Sequence, residues 1–140
     1  MPEQKASANI LLVDDDPVQV QIREAILRDA GFNITIATSA EAALALLCAP
    51  NEGPKIDAVV TDHVLPGASG ADFVRDMRRS NPSMPVIVLT GMLTAEAEYC
   101  DSDVTFRAKP VPPAELMAWL FPIGHWQQYV AKFAPPLLIA

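Results

Sequence analysis

A chain of 140 residues, 51% hydrophobic and 19% charged, has the size and apolar content of one globular domain and leaves no room for a second. Its 10 Lys and Arg against 17 Asp and Glu give a net charge of −7, and a sequence pI near 4.6 sets a field that repels a phosphate backbone, so direct nucleic-acid binding is not expected. Neither end reads as a secretory signal and no uninterrupted apolar run approaches the roughly 20 residues that span a bilayer, so the expectation is a cytoplasmic protein without membrane contact.

In chain order, Ile10 to Val13 is a short apolar run that stops at acidic residues, as a strand buried on both faces does where it emerges at a sheet edge. Asp16 is placed to cap the next helix, Pro17 suits its first turn, Val18, Ile22, Ala25 and Ile26 recur at helical spacing, and Gly31 is a natural stop. Phe32, Ile34 and Ile36 alternate as a second strand. Thr38 and Glu41 then form a capping-box pattern opening an Ala/Leu-rich helix that ends before Pro50, followed by a loop from Asn51 to Lys55. Ile56 to Thr61 predicts a third strand, and a helix starting near Gly70 carries Phe73, Val74 and Met77 on one face. Val86 to Leu89 predicts a fourth strand and Val104 to Ala108 a weaker fifth, after which Pro112 and Pro113 introduce a last helix with Leu116, Trp119 and Leu120. Repeated βα units of this length call for an α/β domain, doubly wound, with a five-stranded parallel sheet and helices on both faces. Cys48 and Cys100 lack CxxC or Cys/His spacing and read as two reduced thiols, one of them in a helix core.

The polar residues fall in one class of position. Asp14 and Asp15 follow strand one, Asp62 strand three, Thr90 strand four and Lys109 strand five, so every one lies at a strand's carboxyl end. In a parallel sheet those ends share an edge, and for strand order 2-1-3-4-5 the first and third strands are neighbours at the switch point where ligands bind. Three converging carboxylates need raised pKa values or a cation, and hard oxygen ligands in a small cleft suit magnesium. A lysine and a threonine hydroxyl at the same edge can stabilise the charge of a transferring phosphoryl group.

These residues resemble the response-regulator receivers of two-component signalling. ILLVDDDP carries that family's acidic pair, TDHVLPGASG its Asp-x-x-x-Pro-x-x-x-Gly loop, VLTG its switch hydroxyl and AKP its lysine-proline, so the likeness spans roughly residues 9 to 120. It implies a flavodoxin-like fold of order 2-1-3-4-5, with 1–8 as an N-terminal segment, 9–120 as the receiver and 121–140 as a C-terminal extension. Position by position it implies that Asp14 and Asp15 hold Mg2+ or Mn2+, that Asp62 is phosphoacceptor and metal ligand, and that Val64 offers its backbone carbonyl to the metal. Thr90 would bind a phosphoryl oxygen, Lys109 would pair with the acyl phosphate, and Phe106 matches the rotating aromatic. The implied donor is a histidine kinase or a histidine phosphotransfer protein, and the chain would catalyse only its own phosphorylation and dephosphorylation. The TDHVLPG wording is most similar to receivers attached to hybrid kinases.

Rival classes remain at this point. Asp14, Asp16 and Val18 also satisfy the Asp-x-Asp-x-Thr/Val pattern of haloacid-dehalogenase-type phosphatases, with Asp14 as nucleophile and Asp16 as acid/base, but the later acidic pair is missing and Asp62 goes unexplained. A receiver-like module that binds without being phosphorylated is a further alternative, although no acceptor position is lost. A nucleotide-binding Rossmann domain lacks its glycine-rich loop.

Further expectations concern the surroundings. Only Met92 to Asp103 separates strands four and five, so the helix there is expected to be short or irregular. His63 and His125 are expected to be bystanders. Trp126, Tyr129, Val130 and Phe133 predict a helix in the tail that docks on the domain or on a second copy, a homodimer. The resemblance also implies that the positions two after the acceptor and two after the threonine, here Val64 and Met92, flank the hydrolytic approach to Asp62; neither side chain can orient water, which predicts a long-lived phosphate.

Overall fold

In a computed structural model that describes residues 8–48, 53, 55–100 and 102–123, the alternating segments form one five-stranded parallel sheet. Its strands are β1 (Asn9–Val13), β2 (Asn33–Ala37), β3 (Ala58–Asp62), β4 (Val86–Thr90) and β5 (Thr105–Ala108), ordered β2-β1-β3-β4-β5. The inner strands β1, β3 and β4 are buried on both faces, which is why they read as near-continuous apolar runs. Asp62 and Thr90 are the last residues of their strands rather than lying beyond them, while Ile56 is buried just before β3 begins.

Helices α1 (Pro17–Asp29) and α4 (Pro113–Leu120) cover one face, where Leu27, Leu116 and Leu120 meet Ile10, Leu12, Val60 and Ile87. Helices α2 (Ala40–Leu47) and α3 (Gly70–Met77) cover the other, where Phe73, Val74 and Met77 meet Leu11, Val13, Val59 and Val88. Fully burying one such side chain contributes about 1.5–3 kcal/mol, so these two layers fix the sheet and its edge. Among the described residues between β4 and β5 the one helix is a 3-10 helix, Leu93–Tyr99, in line with the short segment available. No helix among the described residues is long and apolar enough to cross a membrane.

Asp16 caps α1, accepting from the backbone N–H of Val18 at 3.0 Å and of Gln19 at 3.5 Å. Several sequence expectations need correcting. The buried face of α1 is Val20, Arg23 and Leu27, with Ile26 partly buried against the same core as expected, whereas Val18 and Ile22 are 61% and 54% exposed and Ala25 is exposed as well. The cap of α2 is Ser39, whose hydroxyl accepts from the Ala42 N–H, so Thr38 and Glu41 make no capping box. Cys48 caps the far end of α2 and is exposed, as is Cys100, so neither thiol lies in a core. Phe121, just after α4, is buried against Phe32, ring centroids 5.2 Å apart, and packs in the core beneath α1 and α4. His125 and the helix expected from Trp126 to Phe133 lie outside the described residues.

Candidate functional site: a carboxylate and lysine cluster at the sheet edge

The register brings the polar residues level. Val13 pairs with Thr61, Asp62 with Leu89 and Thr90 with Ala108, so Asp14, Asp62, Thr90 and Lys109 all leave the sheet at one edge. Lys109 is anchored by its own N–H, which donates to the Thr90 carbonyl at 2.9 Å.

Asp62 is mostly enclosed, its side chain 14% exposed, with Oδ2 at 3.2 Å from the Lys109 Nζ and Oδ1 accepting the His63 N–H at 2.7 Å. Asp14 is buried; its Oδ1 accepts the Asp16 N–H at 3.0 Å, and its Oδ2 lies 3.1 Å from Arg23 and 4.0 Å from Lys109. The lysine thus bridges two carboxylates, as a cation does in a cleft that would otherwise hold unpaired like charges. Asp15 is exposed beside them, and Val64 is exposed on the loop that follows Asp62. Thr90 is buried, and its Oγ accepts the Met92 N–H at 3.0 Å, which leaves the hydroxyl proton available to a ligand. Sequence reasoning missed Arg23; the available signal was a charged residue three and four positions from Val20 and Leu27 on one helix face.

Asp14, Asp15, Asp62 and the Val64 carbonyl are hard oxygen donors of the kind magnesium or manganese takes. Among the described residues no three His, Cys, Asp or Glu side chains are gathered closely enough to hold an ion as they stand. Magnesium keeps several waters and uses only one or two direct carboxylates, so the set fits a hydrated ion in kind, with Arg23 and Lys109 already engaging two of the carboxylates.

The loop after Asp62 has its own architecture. Val64–Leu65 and Ala68–Ser69 pair antiparallel around Pro66 and Gly67, and Gly67 has φ +78°, the left-handed value that the third residue of a proline-initiated turn requires. His63, expected to be a bystander, is buried, and its Nδ1 stands 2.6 Å from the Tyr99 hydroxyl while its Nε2 is 3.7 Å from Glu98. Tyr99 also meets the partly buried Phe106, ring centroids 5.6 Å apart. Burial, followed by the negative charges of Glu98, Asp62 and Asp72, pushes the Tyr99 phenol well above its ordinary value, so it stays protonated and can donate to His63. A ring chain thus runs from the residue after Asp62, through the 3-10 helix, to β5. Nothing local in the sequence joins His63 to a residue 36 positions away.

Comparison with known proteins places this arrangement. The chain is similar to the probable transcriptional regulatory protein TcrX of Mycobacterium tuberculosis, at 41% identity over 81 residues that make up 58% of this chain and 33% of that protein. It is 31% identical to the transcriptional regulatory protein CpxR of Klebsiella pneumoniae over 92% of this chain and 56% of that protein. It therefore spans about a third and about half of these two regulators. An uncharacterized 14.6 kDa protein of Leptolyngbya boryana matches at 32% identity over 93% of this chain and 95% of its own length. Among solved structures, a response regulator receiver domain protein of Clostridium thermocellum superposes with a TM-score of 0.75 at 28% identity, covering 83% of this chain and 93% of that one. The receiver domain of a Pseudomonas aeruginosa sensor histidine kinase, which has a magnesium ion coordinated in its active-site cleft, gives 0.73 at 28% identity, covering 84% and 98%. The family described as the response regulator receiver domain matches residues 10–120, and this chain belongs to it.

Proposed function

We propose that Asp62 is the phosphoacceptor of a two-component phosphorelay, taking its phosphoryl group from a phosphohistidine on a histidine kinase or a histidine phosphotransfer protein in the cytoplasm. The observation that carries this reading is the Lys109 ammonium at 3.2 Å from Asp62 and 4.0 Å from Asp14, at the edge where Thr90 also ends its strand. In the transfer, a carboxylate oxygen of Asp62 forms the new P–O bond as the P–N bond to the donor imidazole breaks. The electron pair stays with the imidazole nitrogen, which takes up a proton. Lys109 then pairs with a phosphoryl oxygen and the Thr90 hydroxyl donates to another, countering charge spread over those oxygens. A divalent ion held by Asp14, Asp15, Asp62 and the Val64 carbonyl would supply further positive charge there. Movement of Thr90 towards the phosphoryl group draws on the contact between Phe106 and Tyr99, which makes the 3-10 helix and β5 the segments that report the change.

Two observations weigh against the phosphatase alternative. Asp16 caps α1 through its Oδ1, and Lys109, which such an enzyme would direct at Asp14, stands nearer Asp62, at 3.2 Å against 4.0 Å. A module that is never phosphorylated is disfavoured by the intact acceptor, lysine and hydroxyl. Incubation with acetyl phosphate and Mg2+, followed by intact-mass measurement, tests the proposal: the parent gains one phosphoryl group and Asp62→Asn gains none. Equal uptake by Asp62→Asn would falsify it.

A further inference from the structure

Arg23 lies on the buried face of α1 between Val20 and Leu27, where an apolar residue would serve packing. Its side chain is only 10% exposed, and it stands 3.1 Å from Oδ2 of an Asp14 whose own side chain is 1% exposed. Taking a guanidinium and a carboxylate out of water is costly, and such a pair is retained only when each charge has a close partner. The Asp14 side chain is thus held through both oxygens, Oδ2 by Arg23 and Oδ1 by the Asp16 N–H. Two carboxylates at this edge, those of Asp14 and Asp62, stand against two side-chain cations, Arg23 and Lys109. A divalent ion that uses Asp14 must share that carboxylate with a charge already seated on it.

We propose that Arg23 is a resident counter-cation of the metal site: it holds the Asp14 side chain in place when no metal is bound, and it competes with the metal, setting a low affinity. The proposal rests on the reading of Asp14 as a metal ligand. Arg23 is a positioning residue here, acting through Asp14 and touching no phosphoryl group. A guanidinium repels a nearby divalent ion at any pH in the working range, because it is never deprotonated.

Isothermal titration of the full chain with Mg2+ and with Mn2+, at fixed ionic strength, tests this on the parent, Arg23→Met and Arg23→Lys. Arg23→Met is expected to bind either ion about tenfold more tightly or better, while Arg23→Lys, which keeps the charge, stays close to the parent. Arg23→Met should also melt lower than the parent without metal and gain more from added Mg2+, since the ion replaces the missing charge. Should Arg23→Met fail to fold without metal, recovery of the folded state by Mg2+ supports the proposal and continued unfolding overturns it. Binding equal to or weaker than the parent overturns it while leaving the metal site standing. A parent and an Arg23→Met protein that both bind no divalent ion overturn the metal site itself, and the proposal with it.

Discussion

Replacing Gly70 by alanine is expected to disturb the acceptor through a contact that no neighbouring residue can relieve cheaply. A Cβ at Gly70 would stand 2.6 Å from the Tyr99 hydroxyl, 2.8 Å from the Asp62 carbonyl oxygen and 2.9 Å from the His63 Cα. The tyrosine is held by its 2.6 Å bond to His63, and the other two atoms are backbone of the acceptor segment. Relief therefore requires the end of β3 and the start of α3 to separate, straining the 2.6 Å hydrogen bond that the Gly70 N–H donates to the His63 carbonyl. Overpacking of this kind costs about 1–3 kcal/mol. For a domain of this size that lowers the melting temperature by roughly 4–15 °C. Displacing Asp62 relative to Lys109 also slows phosphoryl uptake by about tenfold or more, as small misplacements of reacting groups do. Gly91→Ala is the control for stability: nothing lies within 4 Å of a Cβ there, so its effect stays within about 0.5 kcal/mol. Thermal melts followed by circular dichroism, with initial labelling rates from acetyl phosphate, read both effects. A Gly70→Ala protein that melts with Gly91→Ala and labels at the parent rate refutes the reasoning.

Tyr99→Phe leaves a buried His63 nitrogen without its partner and should lower stability by about 1–3 kcal/mol in urea denaturation. The native state also keeps the Tyr99 proton at a pH where the unfolded chain releases it, so parent stability falls as pH rises past the ordinary value of 10.0, and Tyr99→Phe should lose less over the same range; equal losses contradict the assignment. Val64 and Met92 are 56% and 49% exposed, an apolar rim that supplies no group to orient water. Phosphorylated parent in Mg2+ should therefore persist for many minutes, with Val64→Asn and Met92→Glu each shortening that time; decay within seconds, or no acceleration by either change, ends the shielding idea. Asp16→Ala removes a helix cap and should cost about 1 kcal/mol while leaving labelling intact, whereas abolished labelling in a folded protein would restore Asp16 as an acid/base.

The sheet and the placing of Asp14, Asp62 and Thr90 were legible because inner strands announce themselves as apolar runs and each of these residues ends or follows one, whereas Lys109 follows the half-exposed edge strand β5 and was placed by the order of the elements. The irregular segment after β4 was legible from its length alone, since too few residues remain there for a full helix and its loops. The face of α1 was read only in part, since Ile26 packs on the core but Val18 and Ile22 stay exposed, while the buried position between them and Leu27 is an arginine. Periodicity counts apolar residues and is blind to a charge buried by its partner. The cap of α2 slipped by one residue because Thr38 and Ser39 are both competent acceptors and only the backbone selects between them. His63 and Tyr99 meet only through the tertiary fold, so neither could be singled out from its own neighbours in the chain.

Acceptance of the phosphoryl group at Asp62 is tested most directly by reducing the phosphorylated protein with borohydride, which converts an aspartyl phosphate to homoserine, and locating the product by peptide mass spectrometry. Homoserine at position 62, dependent on the phosphodonor and absent from Asp62→Asn, is the predicted result. Homoserine at position 14 would contradict it in favour of Asp14 as nucleophile, and homoserine at neither position would show that the chain forms no acyl phosphate there.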